Sequence, residues 1–223
     1  MKDIDIEIII LIMELIGTIA FASSGAILAI KKNMDLFGVN VMALITAVGG
    51  GGIRDIIIGN LPPMMFRDSI YVMVALFTAN VIFLVLYIYQ NRESSEKFAA
   101  LYDNVMLWSD AAGLAVFTIT GINTGIQQGF RENGFLLVVL GVLTGVGGGI
   151  IRDIMANEKP YVLVKHFYAC ASVCGAVTFV LLYGKMKFSI VTLLSFSVTM
   201  LLRILAFKYR WNLPRIRNMT GDY

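Results

Sequence analysis

The sequence predicts an all-α integral membrane protein with seven transmembrane helices, arranged as two inverted three-helix repeats followed by a seventh helix. Composition is the first observation behind this prediction, since the 223 residues are 58% hydrophobic and only 15% charged. The mean hydropathy of +0.79 lies outside the usual range of water-soluble domains. The second is a series of seven long apolar stretches, and the third is a glycine-rich tract with a charged pair that occurs twice.

The apolar stretches supply the transmembrane helices, because a helix needs about 20 apolar residues to cross a bilayer. They are residues 8–29, 38–59, 68–89, 104–124, 135–156, 164–183 and 188–207. The first is not a cleavable signal peptide, because Asp3, Asp5 and Glu7 stand where such a peptide carries basic residues. Little of the chain is left for a soluble domain.

The glycine-rich tract marks a duplication. Arg54-Asp55 and Arg152-Asp153 each follow a run of glycines, and the two pairs lie 98 residues apart. An earlier block repeats at a spacing of 96 residues, and it matches Glu14 with Asp110. Further matches at these two spacings are Thr46 with Thr144, Pro62 with Pro160, Gly17 with Gly113, Phe21 with Phe117 and Gly25 with Gly121.

The duplication defines three regions of the chain. Residues 1–92 form the first three-helix repeat, residues 99–184 the second, and residues 185–223 the seventh helix with a basic cytoplasmic tail. Three spans per repeat force the two repeats into opposite orientations in the bilayer. Inverted repeats of this kind place a binding or permeation site between interrupted helices near the membrane midplane.

The repeated tract predicts a break in the second and fifth helices, because consecutive glycines weaken a helix and free its backbone groups. Each Arg or Asp that faces lipid at mid-membrane costs about 2.5 to 3.5 kcal/mol, so these charges are expected to face protein or water instead. The glycines predicted to break the helices are Gly49, Gly50, Gly51, Gly52, Gly147, Gly148 and Gly149.

A central pathway follows from the expected depths of the charged residues. The rise of the helix places Arg54 in the outer part of the membrane, at about the depth of Glu14 in the first helix. Inversion of the second repeat places Arg152 in the inner part, at about the depth of Asp110 in the fourth helix. Hydroxyl groups on those helices are suited to replace ion hydration. The residues predicted to line or gate the pathway are Arg54, Asp55, Arg152, Asp153, Glu14, Asp110, Ser23, Ser24, Thr118 and Thr120.

Structural roles are the alternative for each of these residues. Glycine-rich faces allow close packing of membrane helices, and an Arg-Asp pair near a helix end can reach the headgroups. A serine or threonine in a membrane helix can simply hydrogen-bond to its own backbone. The matched order of Thr, Gly and Arg-Asp in both copies favours the functional interpretation.

Charge distribution predicts the orientation. The C-terminal segment carries Lys208, Arg210, Arg215 and Arg217. If this segment is cytoplasmic, seven spans place the N-terminus outside. This orientation agrees with the distribution of Lys and Arg residues in most of the loops. Lys185 and Lys187 fall outside and are the exception. Contact of the tail with anionic lipid headgroups is the alternative to a simple positive-inside anchor.

No catalytic or metal site is predicted. Cys170 and Cys174 are four residues apart in one span, and His166 is the only histidine. These residues form neither a disulfide framework nor a metal-ligand set. No nucleophile, base and orienting group occur together, so we expect no enzymatic activity, no cofactor and no nucleic-acid partner.

At the doubled Gly-Gly-Gly-x-x-Arg-Asp, Gly49 to Asp55 and Gly147 to Asp153, the sequence resembles the prokaryotic branch of the TRIC family, the trimeric intracellular cation channels. It is also similar to the related bacterial domain known as a glycine transporter. The resemblance covers nearly the whole chain. It implies a homotrimer in a prokaryotic plasma membrane, a pore in each subunit between the first two helices of each repeat, and voltage-responsive conduction of potassium.

Two functions therefore compete. The first is a passive channel for potassium or other monovalent cations, in which Asp55 and Asp153 neutralise the arginines. The second is a carrier for glycine or a similar zwitterion, in which an arginine binds the carboxylate and an acid binds the ammonium group. A purely structural membrane protein is the third alternative.

Overall fold

The computed structural model describes residues 2–89, 95–164 and 167–211, and all regular secondary structure within these ranges is helical. Four long helices, α1, α2, α5 and α6, pack against one another, and α4, α8 and α9 flank them. The helices are α1 (Lys2–Lys31), α2 (Leu36–Ile57), α3 (Met64–Arg67), α4 (Ile70–Tyr89), α5 (Ser95–Gln127), α6 (Gly134–Met155), α7 (Tyr161–Val164), α8 (Tyr168–Leu182) and α9 (Phe188–Lys208).

Six of the described helices are long and apolar enough to cross a membrane, namely α1, α2, α4, α5, α6 and α9. They correspond to six of the seven predicted spans. The remaining predicted span, residues 164–183, corresponds to α8, an apolar helix of only 15 residues. Phe167 precedes α8 with φ +50°, a left-handed conformation that ends regular helix. A count of seven spans stays a prediction, and His166, Arg215 and Arg217 lie outside the described residues.

The second and fifth predicted spans begin in the same way. Asp35 accepts a hydrogen bond from the Gly38 amide at 2.8 Å, and Asn133 accepts one from the Leu136 amide at 3.0 Å. These side chains satisfy backbone donors that the first turn of a helix leaves free. Because Asp35 and Asn133 lie 98 residues apart, the repeat extends to the signals that start α2 and α6.

The first helices of the two halves, α1 and α5, cross at a reciprocal aromatic contact. The rings of Phe21 and Phe117 lie 5.0 Å apart. A Cβ atom at Gly113 would overlap the Phe21 ring, and one at Gly17 would come within 3.2 Å of the Phe117 ring. Each phenylalanine thus fills the space that the glycine of the other half leaves.

The second helices, α2 and α6, make a similar reciprocal contact within the glycine tracts. A Cβ atom at Gly50 would overlap the carbonyl oxygen of Thr144, and one at Gly148 would overlap the carbonyl oxygen of Thr46. The two backbones therefore touch directly. Small residues allow such close approach between membrane helices.

The prediction that the glycine runs break the helical structure of α2 and α6 is wrong. Both α2 and α6 continue without a break through Gly49, Gly50, Gly51, Gly52, Gly147, Gly148 and Gly149. The physical reason lies in the crossing, since Gly50 and Gly148 serve close packing and the surrounding helices hold the backbone in place. A bend that keeps the helical hydrogen bonds stays a prediction.

The crossing of α2 and α6 makes one glycine far less replaceable than its neighbour. We expect Gly50→Ala to lower the stability by about 1 to 3 kcal/mol through overpacking. Gly51→Ala is the matched control, because a Cβ atom there meets nothing closer than the Arg54 guanidinium at 3.7 Å. Thermal unfolding of purified protein in detergent measures both. Equal melting temperatures for the two variants would contradict the backbone contact.

Candidate functional site

The two arginines of the repeated tract are each neutralised by the aspartate that follows them. Arg54 donates from Nε and Nη2 to Asp55 Oδ1 at 2.9 and 2.8 Å. Arg152 donates from the same atoms to Asp153 Oδ1 at 2.9 and 2.7 Å. Charge-assisted pairs of this geometry are among the stronger hydrogen bonds in proteins. All four side chains are buried, so each half carries a compensated ion pair inside the protein.

The second oxygen of each aspartate fixes the chain that follows the helix. Asp55 Oδ2 accepts the backbone N–H of Met64 at 2.8 Å, and Asp153 Oδ2 accepts that of Tyr161 at 2.8 Å. These amides begin the short helices α3 and α7, whose first N–H groups have no partner within the helix. One carboxylate therefore binds its arginine and also positions the next segment of the same half.

The second half closes around Arg152 in a buried network. Arg152 Nη1 donates to Asp110 Oδ1 at 2.7 Å and also to Ser24 Oγ, which belongs to α1 of the first half. Arg203 of α9 places Nη2 at 3.9 Å from Asp110 Oδ2, and its guanidinium lies 4.4 Å from the centre of the Tyr168 ring. Arg152 is fully buried. The network joins α1, α5, α6, α8 and α9.

The first half is open at the equivalent position. A small cavity of about 50 Å³ lies beside Arg54, and the structure forms no hydrogen bond there between Arg54 and Glu14 or Thr120, the counterparts of Asp110 and Ser24. Glu14 instead accepts a hydrogen bond from the Tyr71 hydroxyl at 2.5 Å. The polar residues that line the cavity are Glu14, Thr18, Arg54, Asp55, Tyr71, Thr120 and Thr144.

Most of the residues predicted from the sequence therefore fall into two matched clusters. Glu14, Arg54, Asp55 and Thr120 lie at the cavity, and Asp110, Arg152, Asp153 and Ser24 form the closed network. The pairing of an arginine with a matched acid is present in one half, at Asp110. Their roles as pore or gate residues stay predictions.

Two predicted hydroxyl residues make other contacts. Ser23 donates to the Ile19 carbonyl at 2.7 Å, which is the back-bonding alternative. Thr118 donates to the Leu114 carbonyl at 2.7 Å and lies at the same distance from Ser172 Oγ. These contacts hold Ser23 to its own helix and connect Thr118 to α8.

The sequence analysis missed Thr18 and Tyr71 at the cavity, and it missed Tyr168 and Arg203 in the closed network. Tyr71 and Tyr168 lie 97 residues apart, between the spacings of 96 and 98 that define the repeat, so an alignment extended past the prolines would have matched them. Arg203 carries a different signal. It is a charged residue within a predicted span, and such residues usually mark functional positions.

The fold and the site define an all-helical membrane protein of the TRIC-channel type. A solved structure of a TRIC cation channel superimposes with a TM-score of 0.78 at 35% identity, and the match covers 94% of this chain and 98% of that one. The resemblance stated from the sequence is thereby confirmed.

The family model described as "Glycine transporter" matches residues 11–87 and 107–184. The UPF0126 inner membrane protein YadS of Escherichia coli is 36% identical over 205 residues, which are 91% of this chain and 93% of YadS. A UPF0126 membrane protein of Deinococcus radiodurans is 42% identical over 166 residues, which are 74% of this chain and 72% of the relative. The chain belongs to the glycine transporter family, which includes these UPF0126 membrane proteins.

The contrast between the two clusters predicts unequal effects of equivalent substitutions. Arg152→Gln leaves Asp110 and Asp153 buried without their main partner, and breaking a buried ion pair costs about 3 to 5 kcal/mol. Arg54→Gln removes a similar pair beside a cavity that water can enter, so we expect a smaller loss of stability. Thermal unfolding in detergent compares the two variants. Equal decreases in melting temperature would contradict the difference between the closed network at Arg152 and the open cavity at Arg54.

Proposed function

We propose that the protein is a passive, potassium-permeable channel for monovalent cations, with a pore in each subunit lined by α1, α2, α5 and α6. The observation that carries the proposal is a cavity that these four helices line together with α3 and α4 and that Glu14, Arg54 and several hydroxyl groups border, in a chain 35% identical to a TRIC cation channel. A cation path needs oxygen atoms that replace lost hydration. Glu14 and the hydroxyls of Thr18, Thr120 and Thr144 supply such atoms.

The arginine beside the cavity is compatible with cation conduction because Asp55 neutralises it. The pair contributes no net charge, whereas Glu14 places a further carboxyl group in the same cavity. A single negative charge at a pore mouth raises the local concentration of cations. The cavity therefore favours cations over anions.

The closed network around Arg152 supports a gate in the second half. In this proposal the gate opens when the hydrogen bond from Arg152 to Ser24 breaks, because this bond connects α6 to α1. A charged side chain that moves in the field makes opening depend on voltage, since one charge crossing 100 mV changes the free energy by about 2.3 kcal/mol. The gating stimulus that fits this site is the membrane potential.

Assembly and orientation belong to the same proposal. We propose a homotrimer in a prokaryotic plasma membrane, with lipids around it, inverted halves at residues 1–92 and 99–184, and a seventh helix and tail at residues 185–223. The N-terminus is outside and the C-terminus cytoplasmic. The inner-membrane description of YadS supports the location, and the reciprocal contacts of Phe21 and Phe117 support the two halves.

Planar-bilayer recording of purified protein tests the channel. We expect discrete potassium currents, with a single-channel conductance that falls at least about twofold in Glu14→Gln at low salt and recovers near 1 M salt, where screening is strong. Glu132→Gln removes an exposed loop acid and serves as the control. Absence of current at every voltage would refute the channel.

A carrier for glycine or a similar zwitterion is the second candidate, favoured by one observation. Arg54 Nη1 makes no hydrogen bond with any described residue, and it lies in the same cavity as the Glu14 carboxylate. These groups match a carboxylate and an ammonium group. Open access at Arg54 with closure at Arg152 also fits alternating access.

Uptake by proteoliposomes separates the two candidates. A carrier gives saturable uptake of labelled glycine that excess unlabelled glycine abolishes and that Arg54→Gln removes. A channel gives potassium flux that rises with concentration without saturating at low millimolar levels, and added glycine leaves that flux unchanged.

A further inference from the structure

The two matched clusters differ in their cations. In the second half, Asp110 has two guanidinium neighbours, Arg152 at 2.7 Å and Arg203 at 3.9 Å. In the first half, the equivalent acid, Glu14, has no cation within ion-pair distance among the described side chains. The difference arises because α9 packs against α5 and α8 of the second half, whereas none of the described helices packs against α1 and α4 of the first half in the same way.

Glu14 is therefore an acid in a membrane-spanning helix, and its only direct polar partner among the described residues is the Tyr71 hydroxyl. A single hydrogen bond replaces only part of the hydration that a carboxylate loses. The other arginine nearby, Arg54, is already bound in two hydrogen bonds to Asp55. The cluster around the cavity thus contains one basic side chain, Arg54, and two acidic side chains, Asp55 and Glu14.

We propose that a monovalent cation binds at Glu14 in this cavity, at the position that Arg203 takes at Asp110 in the second half. Arg203 acts there as a cation tethered by α9, whereas the first half takes its cation from solution. The proposal rests on the proposed channel function, because it names the carboxylate at which a permeating cation dwells.

The surrounding groups suit a cation of low charge density. The Thr18 and Thr120 hydroxyls and the Tyr71 hydroxyl oxygen share the cavity with the carboxylate, and such neutral oxygens complete a partly hydrated alkali-metal shell. The Tyr71 ring corresponds to the Tyr168 ring under Arg203, and aromatic faces attract cations. One carboxylate among neutral oxygens does not provide the several charged ligands that Ca²⁺ or Mg²⁺ sites use.

Thermal stability in detergent tests the site without requiring transport. Wild-type protein is compared in potassium chloride and in choline chloride at equal ionic strength, because a ligand that binds the folded state raises the melting temperature. We expect potassium to raise the melting temperature by a few degrees over choline. Glu14→Gln removes the potassium effect, whereas Glu14→Asp keeps most of it and Glu132→Gln keeps all of it.

The tethered cation gives a second, independent test. Arg203→Gln deprives Asp110 of a neighbouring charge, so we expect a lower melting temperature in choline and a larger rise with potassium than in wild type. Arg203→Lys keeps the charge and should respond to potassium as wild type does. An unchanged potassium response in Arg203→Gln would contradict the equivalence of Arg203 with a bound cation.

The outcomes distinguish the site from the channel. Potassium current without any stabilisation by potassium overturns the Glu14 site and leaves the channel intact. Stabilisation that depends on Glu14 in a protein without current overturns the channel and leaves the site. Equal stabilisation in wild type and Glu14→Gln places the cation elsewhere and overturns the proposal.

Discussion

The ion pair between each arginine and the aspartate next to it is the interaction on which the other polar features depend. A guanidinium group in the membrane interior is costly unless it is paired and hydrogen-bonded, and Arg54 and Arg152 meet that requirement within two consecutive residues. The local pair leaves Nη1 of each arginine available to other groups. At Arg152 this atom joins α5 to α1, whereas at Arg54 it borders the cavity.

The difference between the halves follows from a few contacts around the arginine–aspartate pair that both halves contain. The second half adds Arg203 from α9 and brings Asp110 and Ser24 onto Arg152. The first half holds Glu14 on Tyr71 instead. Glu14, which has one more methylene than Asp110, is thus held by the tyrosine of its own half and not by the arginine. Similar sequences thus produce one closed and one open cluster.

Much of this arrangement was predictable because charge and repetition are strong signals in an apolar chain. The spacings of 96 and 98 residues matched Glu14 with Asp110 and Arg54 with Arg152, and the structure places these residues in equivalent clusters. The continuity of α2 and α6 was not predictable from the glycines, because the same residues that weaken an isolated helix permit close packing in a bundle. The contact of Arg203 with Asp110 depends on where α9 packs, and periodicity does not contain that information.

The reciprocal contacts between the halves have a consequence for the origin of the chain. Gly50 meets the backbone of Thr144 while Gly148 meets that of Thr46, which is the self-complementary pattern of a two-fold symmetric dimer. Such a pattern is expected of a chain in which two copies of one paired unit have been joined. Because α9 packs against α5 and α8 and has no counterpart among the described helices, it makes the two sides of that otherwise two-fold arrangement different.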